Sequence, residues 1–300
     1  MDKGNETIVP IKIGHLKICL AAVIWGSLGI FIRAVDLPVT TIVFFRVTFA
    51  TVAIFVIILA RGNLSQLRLR KHRGLMILRG LGLTINWLLF FYALTLTTIA
   101  NAVLLTYTAP IFIVFLSAII LKEKVELKTV FSLIVCMAGI VLIVFPGLKI
   151  GTGAHLIGMI CALGSATTYG LLVIASKYLL GEYMPESLVF YESFVTFLVL
   201  APFVLVNFSK PSSLEWLLLA IMGIAHTALA ALLYTSGLKQ IKAQYAGIFA
   251  YLDPLTAIIL AFLFLSETPT AYTIIGGVFI LTGGLTIIIQ RRVEQPLIPD

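Results

Sequence analysis

Charge is what this chain has least of. Lys, Arg, Asp and Glu make up 11% of its 300 residues, where a soluble domain carries roughly 25%. With 60% hydrophobic residues and a mean hydropathy of +1.11, it holds more apolar surface than a water-facing globule can bury. A soluble fold is excluded and an integral membrane protein is implied. Cysteine is scarce as well. Cys19, Cys136 and Cys161 lie inside apolar runs, which argues against a disulfide framework and for packing roles. The net charge of +8 is spread over short connections with no basic domain, so nucleic acid is not an expected partner. There is no GxxxxGK[ST] loop to hold ATP, no GxSxG elbow, and no His/Cys/Asp/Glu grouping with metal-ligand spacing. The expectation is therefore a non-enzyme with no cofactor and no metal.

What the chain does have is long apolar runs, each about the length that crosses a bilayer. Ten are legible, at 14–34, 39–60, 74–96, 99–121, 126–146, 154–177, 186–207, 214–237, 243–265 and 270–290. The connections are short and carry Pro38, Gly62-Asn63, Pro146-Gly147, Pro185, Pro211 and Pro269, as helix breakers should. The first run reads as a retained helix, because it is echoed later in the chain. Lys and Arg set the orientation. With the N-terminus inside, sixteen of the twenty-one fall on inner segments, three (Arg33, Lys149 and Lys210) fall on outer loops, and Arg46 and Arg79 lie within helices. This predicts an all-α polytopic protein of ten transmembrane helices with both ends in the cytoplasm. Residues 1–13 and 291–300 are its cytoplasmic tails.

A shift of 144 positions lays "YTAPIFIVFLSAIILKE" (107–123) on "YLDPLTAIILAFLFLSE" (251–267). Tyr107 meets Tyr251, Pro110 meets Pro254, and Glu123 meets Glu267. The same shift matches Gly139 with Gly283, Gly14 with Gly158, and Trp25-Gly26 with Tyr169-Gly170. One offset across several helix pairs divides the chain into two repeats, 14–146 and 147–290. Each half has five helices, an odd number, so the second must enter the membrane from the opposite face. Inverted repeats of this kind recur in secondary transporters, whose substrate site lies near the midplane between the halves.

The two Y-x-x-P…E segments resemble the fourth and ninth helices of the EamA family of drug/metabolite transporters. "AAVIWGSLGIFIR" (21–33) is similar to that family's first helix, and "FFRVTFA" (44–50), with its arginine, to its second. The resemblance runs from about residue 14 to 290. It implies a ten-helix basket around a central cavity, in a prokaryotic cell membrane, and export of amino acids or other small metabolites. "YLDP" carries an aspartate where the family pattern more often has a glutamate.

Asp253, one acid inside a long apolar stretch, is the first candidate site residue. An acid is costly to hold inside a membrane, and one that is kept there marks a functional position. It would couple transport to protons or pair with a substrate amine. The blander alternative is a neutral acid bonded to a nearby hydroxyl or carbonyl. Arg46 and Glu192 sit at mirrored depths in helices two and seven, within Phe44-Phe45-Arg46 and Phe190-Tyr191-Glu192. They are candidates for coupling or gating, or they pair with other groups, or they snorkel toward the interface. Arg79 reads as an interfacial anchor. Trp25, Tyr107, Tyr169 and Tyr251 are repeat-matched aromatics that could line a cavity or simply fill the core. Asn101 is a further lining candidate, although an amide in a bundle more often bonds a neighbouring helix. Pro110 and Pro254 each remove a backbone donor and bend their helices. Glu123 and Glu267 suit the N-terminal dipoles of the helices that follow them. Gly276-Gly277 and Gly283-Gly284 mark a close-packing face, internal or at a dimer contact, so monomer and homodimer both stay open. His226, in the eighth run, could touch the cavity but reads first as a bonded structural histidine.

The expected function is alternating access by a secondary transporter of a small molecule, with protons as the candidate coupling ion. A passive channel is the competing class. An intramembrane enzyme is a weaker one, because Asp253 and Glu192 are the only deep acids and neither sits in a catalytic motif.

Overall fold

A computed structural model of the chain describes residues 13–69, 71–148, 153–206, 208–265 and 268–288. The terminal tails and Glu267 lie outside them. Among the described residues, nine helical spans are long and apolar enough to cross a membrane, and a shorter apolar helix is the tenth. They are α1 (Ile13–Arg33), α2 (Val39–Ala60), α3 (Arg73–Leu96), α4 with α5 (Ile99–Thr106 and Ala109–Ile120), α6 (Leu127–Val144), α7 (Ala154–Leu179), α8 (Pro185–Val206), α9 with α10 (Ser213–Ile221 and Ala230–Gln240), α11 with α12 (Ala243–Phe249 and Leu252–Leu265), and α13 (Ala271–Ile288). Helices are what a lipid solvent permits, because each backbone group must be satisfied within its own segment. The outer wall exposes Phe203, Phe264, Leu263 and Leu205 at 62–69%. Such a surface invites aggregation in water and matches lipid tails in a bilayer.

Contacts fix the direction of each span. Gly14 at the start of α1 approaches Gln240 at the end of α10. Arg61 after α2 reaches Glu186 at the start of α8, and Lys177 near the end of α7 donates to the Leu238 and Ile241 carbonyls. All of these lie at one end of the bundle, the near face. At the far face, the Asp36 backbone N–H after α1 donates to Glu215 at the start of α9, and Thr97 after α3 meets His155 at the start of α7. So α1 runs from near to far, and its repeat mate α7 runs from far to near.

The inversion is written in the packing too. A Cβ on Gly26 would lie 2.6 Å from the Thr256 Cβ and 3.1 Å from the Ala257 N; on the mate Gly170 it would lie 2.9 Å from the Phe112 Cβ and 3.6 Å from the Ile113 N. Gly139 of α6 abuts the Gly276 carbonyl and Ile280 of α13, and its mate Gly283 abuts the Ser132 carbonyl and Cys136 of α6. Each contact maps onto another when both residues move by one repeat, the condition for an isologous, two-fold interface. Residues that touch their own mates lie on the axis. Tyr107 stacks on Tyr251 at 6.3 Å, and the Cys136 thiol donates to the Ile280 carbonyl. The glycine face of α13 is therefore used, at Gly276 and Gly283, for internal packing against α6.

Candidate functional site

Spans four and nine, expected as continuous helices with a proline midway, are each broken. α4 ends at Thr106 and α5 begins at Ala109; α11 ends at Phe249 and α12 begins at Leu252. The break falls about a turn before Pro110 or Pro254, because proline fits the first turn of a helix, where its missing N–H is not needed. The second half-helix of each span, α5 or α12, presents its N-terminus to the middle of the bundle, and these termini carry partial positive charge. In α12 the first turn holds Asp253. The matching position in α5 is Ala109. The acid that stood alone in an apolar run thus sits at a helix N-terminus, on one half only.

Around it the aromatics gather. Tyr107 and Tyr251 stack across the axis. The Tyr107 phenol lies beside the Asp253 carboxylate. Tyr251 is fully buried, and its hydroxyl turns to the Met137 sulfur at 3.6 Å. Tyr169 lies within electrostatic reach of Asp253 and of the Arg79–Glu192 pair. Tyr169 and Tyr234 face one another through their phenols, and Trp25 packs on Tyr234 at 5.3 Å. Trp25, Tyr107, Tyr169, Tyr251 and Asp253 therefore form one central group.

Toward the near face the group ends at an ion pair. The Arg79 guanidinium pairs with Glu192 at 2.5 Å, with the side chains 6% and 14% exposed. Its Nε donates to the Ser176 hydroxyl at 2.6 Å and its Nη1 to the Leu188 carbonyl at 3.2 Å. Arg79 is thus buried between spans and does not anchor at the interface. Its acid partner lies in the other half of the chain, and no local pattern links the two.

Toward the far face the group ends differently. Span eight contains a π-helical segment, Met222–Leu229, a local widening often found at functional positions. There the His226 carbonyl accepts from the Trp25 indole at 2.8 Å. The His226 Nε2 meets the Ser27 hydroxyl at 2.9 Å, and the imidazole packs edge-on to Phe31 at 4.9 Å. Next to it, the Arg46 Nε donates to the Thr227 hydroxyl at 3.3 Å, and the guanidinium lies over the Trp87 ring at 5.5 Å. A cleft of about 350 Å³ between α1, α12, the connection at 268–270 and the start of α13 is lined by Gly26, Gly29, Ile30, Ala257, Ala261 and Thr270. Gly26 in its lining abuts the Asp253 backbone carbonyl.

Asn101 is not part of this arrangement. Its backbone N–H donates to the Thr98 cap and its amide meets His155 at 3.1 Å, at the far-face end of α4. Glu123 does meet a helix N-terminus, but not that of the helix after it. Its carboxylate accepts from the Ala243 and Gln244 backbone N–H groups of α11, in the opposite half. Nearby, Lys242 and Lys128 pair with Glu126, and the Tyr245 hydroxyl donates to it at 3.0 Å. Among the described residues, ion pairs that join the two halves gather at the near face and its half of the bundle: Arg61–Glu186, Arg79–Glu192 and Lys242–Glu126.

Known proteins share this architecture. The profile of the EamA-like transporter family matches residues 12–145 and again 156–289. The uncharacterized transporter YxxF of Bacillus subtilis is 27% identical over 282 residues, 92% of this chain and 90% of that one. The pseudopaline exporter CntI of Pseudomonas aeruginosa is 26% identical over 280 residues, covering 92% and 96%. The S-adenosylmethionine uptake transporter of Rickettsia prowazekii is 26% identical over 253 residues, covering 84% and 83%. A crystal structure superposes with a TM-score of 0.84 at 21% identity, over 93% of this chain and 97% of the other; that likeness speaks for the fold.

Proposed function

The chain belongs to the EamA-like transporter family, and from that premise we propose a secondary carrier that moves a small metabolite by alternating access. The two five-helix repeats, 14–146 and 147–290, exchange conformations about the axis between Tyr107 and Tyr251. The substrate binds where they meet, against Trp25, Tyr107, Tyr169 and Asp253. The observation that carries this reading is the pair of broken spans whose half-helix N-termini meet at mid-bundle, with a carboxylate on one of them and a phenol facing it. Discontinuous helices at a repeat interface are where carriers bind substrate and coupling ions. Asp253 is the proton-coupling group, and the Arg79–Glu192 pair closes the near-face side when the far face is open. The positive-inside bias puts the near face in the cytoplasm, so the cleft opens outward and both termini lie inside. Export of an amino acid or a related compound is the proposed direction. The named relatives include one exporter and one uptake protein, so substrate and direction vary among proteins of this kind. The carrier works as a monomer or homodimer in a prokaryotic cell membrane.

The test uses purified full-length protein in liposomes beside Asp253→Asn. Radiolabelled amino acids are followed in exchange and in net efflux at two internal pH values. A carrier coupled through Asp253 shows net efflux driven by the proton gradient in the wild type, and exchange without gradient-driven efflux in the variant. Flux that ignores both pH and the substitution makes the protein a facilitator with a structural Asp253. No flux of any amino acid removes that substrate class.

A further inference from the structure

Two arginines are buried in the bundle, and they are treated differently. Arg79 is 6% exposed and has Glu192, Ser176 and the Leu188 carbonyl around it. Arg46 is equally buried, at 7%. Among the described residues it makes one side-chain hydrogen bond, from Nε to Thr227, and rests on the Trp87 ring. Among the described residues no carboxylate lies within ion-pair distance of it. The Thr227 hydroxyl already donates to the Met222 carbonyl, so it offers Arg46 a lone pair and no charge. A guanidinium buried without a counter-charge is costly, and such residues inside a membrane protein mark functional positions. The fork of Nη donors left over fits a carboxylate in two-point contact.

We propose that Arg46, seated between Trp87 and Thr227, binds the carboxylate of the transported solute on the far-face side of the central group. The surroundings define the rest of that solute. Trp87, Phe31, Phe44 and Phe91 form one apolar cluster there, which suits an aromatic or branched aliphatic body next to the charge. The class is thus small organic acids and amino acids with an apolar side chain, not amines and not sugars. A cluster of charged side chains for a polyanion is missing, since Arg46 is the one cation among these residues. This inference rests on the carrier reading above but concerns equilibrium binding, which needs no turnover.

The experiment measures binding to detergent-solubilised full-length protein by ligand-induced thermal shift and by tryptophan fluorescence. The probes are L-phenylalanine, L-leucine and hydrocinnamate, against phenethylamine and isoamylamine, which keep the apolar body and lack the carboxylate. Carboxylate probes should bind the wild type and the amines should not. Arg46→Gln should weaken carboxylate binding by at least about 30-fold, in line with loss of a charge-assisted contact, and Arg46→Lys should recover part of it. If Arg46→Gln fails to fold, the matched probes on the wild type still decide. The proposal is overturned if the amines bind as well as the acids, if a folded Arg46→Gln binds the acids unchanged, or if no carboxylate probe binds. Arg46-dependent binding with no flux in liposomes would instead remove the carrier reading and leave the anion site standing.

Discussion

Glu192→Gln is the substitution that tests most directly how the near-face half of the bundle is held. Both members of the Arg79–Glu192 pair are nearly inaccessible. Replacing the carboxylate with an amide leaves the guanidinium buried without its counter-charge, and breaking a buried pair from one side costs about 3–5 kcal/mol. Arg79 keeps the Ser176 hydroxyl and the Leu188 carbonyl, so the lower part of that range is expected, about 3 kcal/mol. At roughly 2–4 °C per kcal/mol for a chain of this size, the midpoint should fall by about 6–12 °C. Arg79→Met combined with Glu192→Leu removes both charges and restores apolar volume. That pair of changes should return to within about 1–2 kcal/mol of the wild type, with a coupling energy of about 2 kcal/mol or more in the double-mutant cycle. Thermal unfolding of Glu192→Gln and of the four proteins of the cycle (wild type, Arg79→Met, Glu192→Leu and the double variant) in one detergent at one scan rate measures this, since membrane-protein unfolding is commonly irreversible and its midpoint depends on rate. If Glu192→Gln melts within about 2 °C of the wild type and the coupling is below about 0.5 kcal/mol, the pair behaves as a hydrated surface bridge. The sealed near face would then have to be abandoned.

Two further outcomes follow from packing and charge. Gly139→Ala and Gly283→Ala place mated methyl groups against backbone across the α6–α13 contact, so each should cost about 1–3 kcal/mol and the two should match; Gly29→Ala, which has open space around it, should be neutral or gain up to about 1 kcal/mol from helix propensity. Thermal midpoints that differ strongly between the mated pair would argue against a symmetric interface. Glu126 is the second case: the Lys242 contact holds its carboxyl down at about 2, below the ordinary 4.5. A depressed acid contributes stability that is present above its ordinary value and lost as pH falls toward the lowered one. Melting midpoints should therefore drop between about pH 4.5 and 2, and less steeply in Lys242→Met, the contribution being modest because the site is partly exposed; identical acid limbs in the two proteins would refute the pairing.

Several features could be seen along the chain and several could not. The inverted repeat was legible because mated residues keep one offset, and the structure extends the same offset to the contacts they make. Asp253 stood out because an acid in an apolar run has few bland explanations. The Tyr107–Tyr251 match was visible, and its meaning, a pair on the axis, was not. Asn101 looked like a lining residue, yet a histidine at the start of α7 claims it. Arg79 looked like an anchor because its depth along the helix says nothing about which way its side chain turns. The π-helical segment around His226 has no local mark at all, since a widened turn depends on what packs against it.

The sequence by itself determined the class of protein, the number of spans, their alternation and the two-fold plan. Lipid imposes those conditions residue by residue: each crossing segment must be long, apolar and self-bonded, and an odd-helix repeat must invert. Only the tertiary structure decided which charges neutralise each other, where the fourth and ninth spans break, and that one buried arginine is left with a hydroxyl and an indole. Those outcomes depend on which faces meet across the bundle, and neighbours far apart in the chain are chosen by packing, not by local pattern.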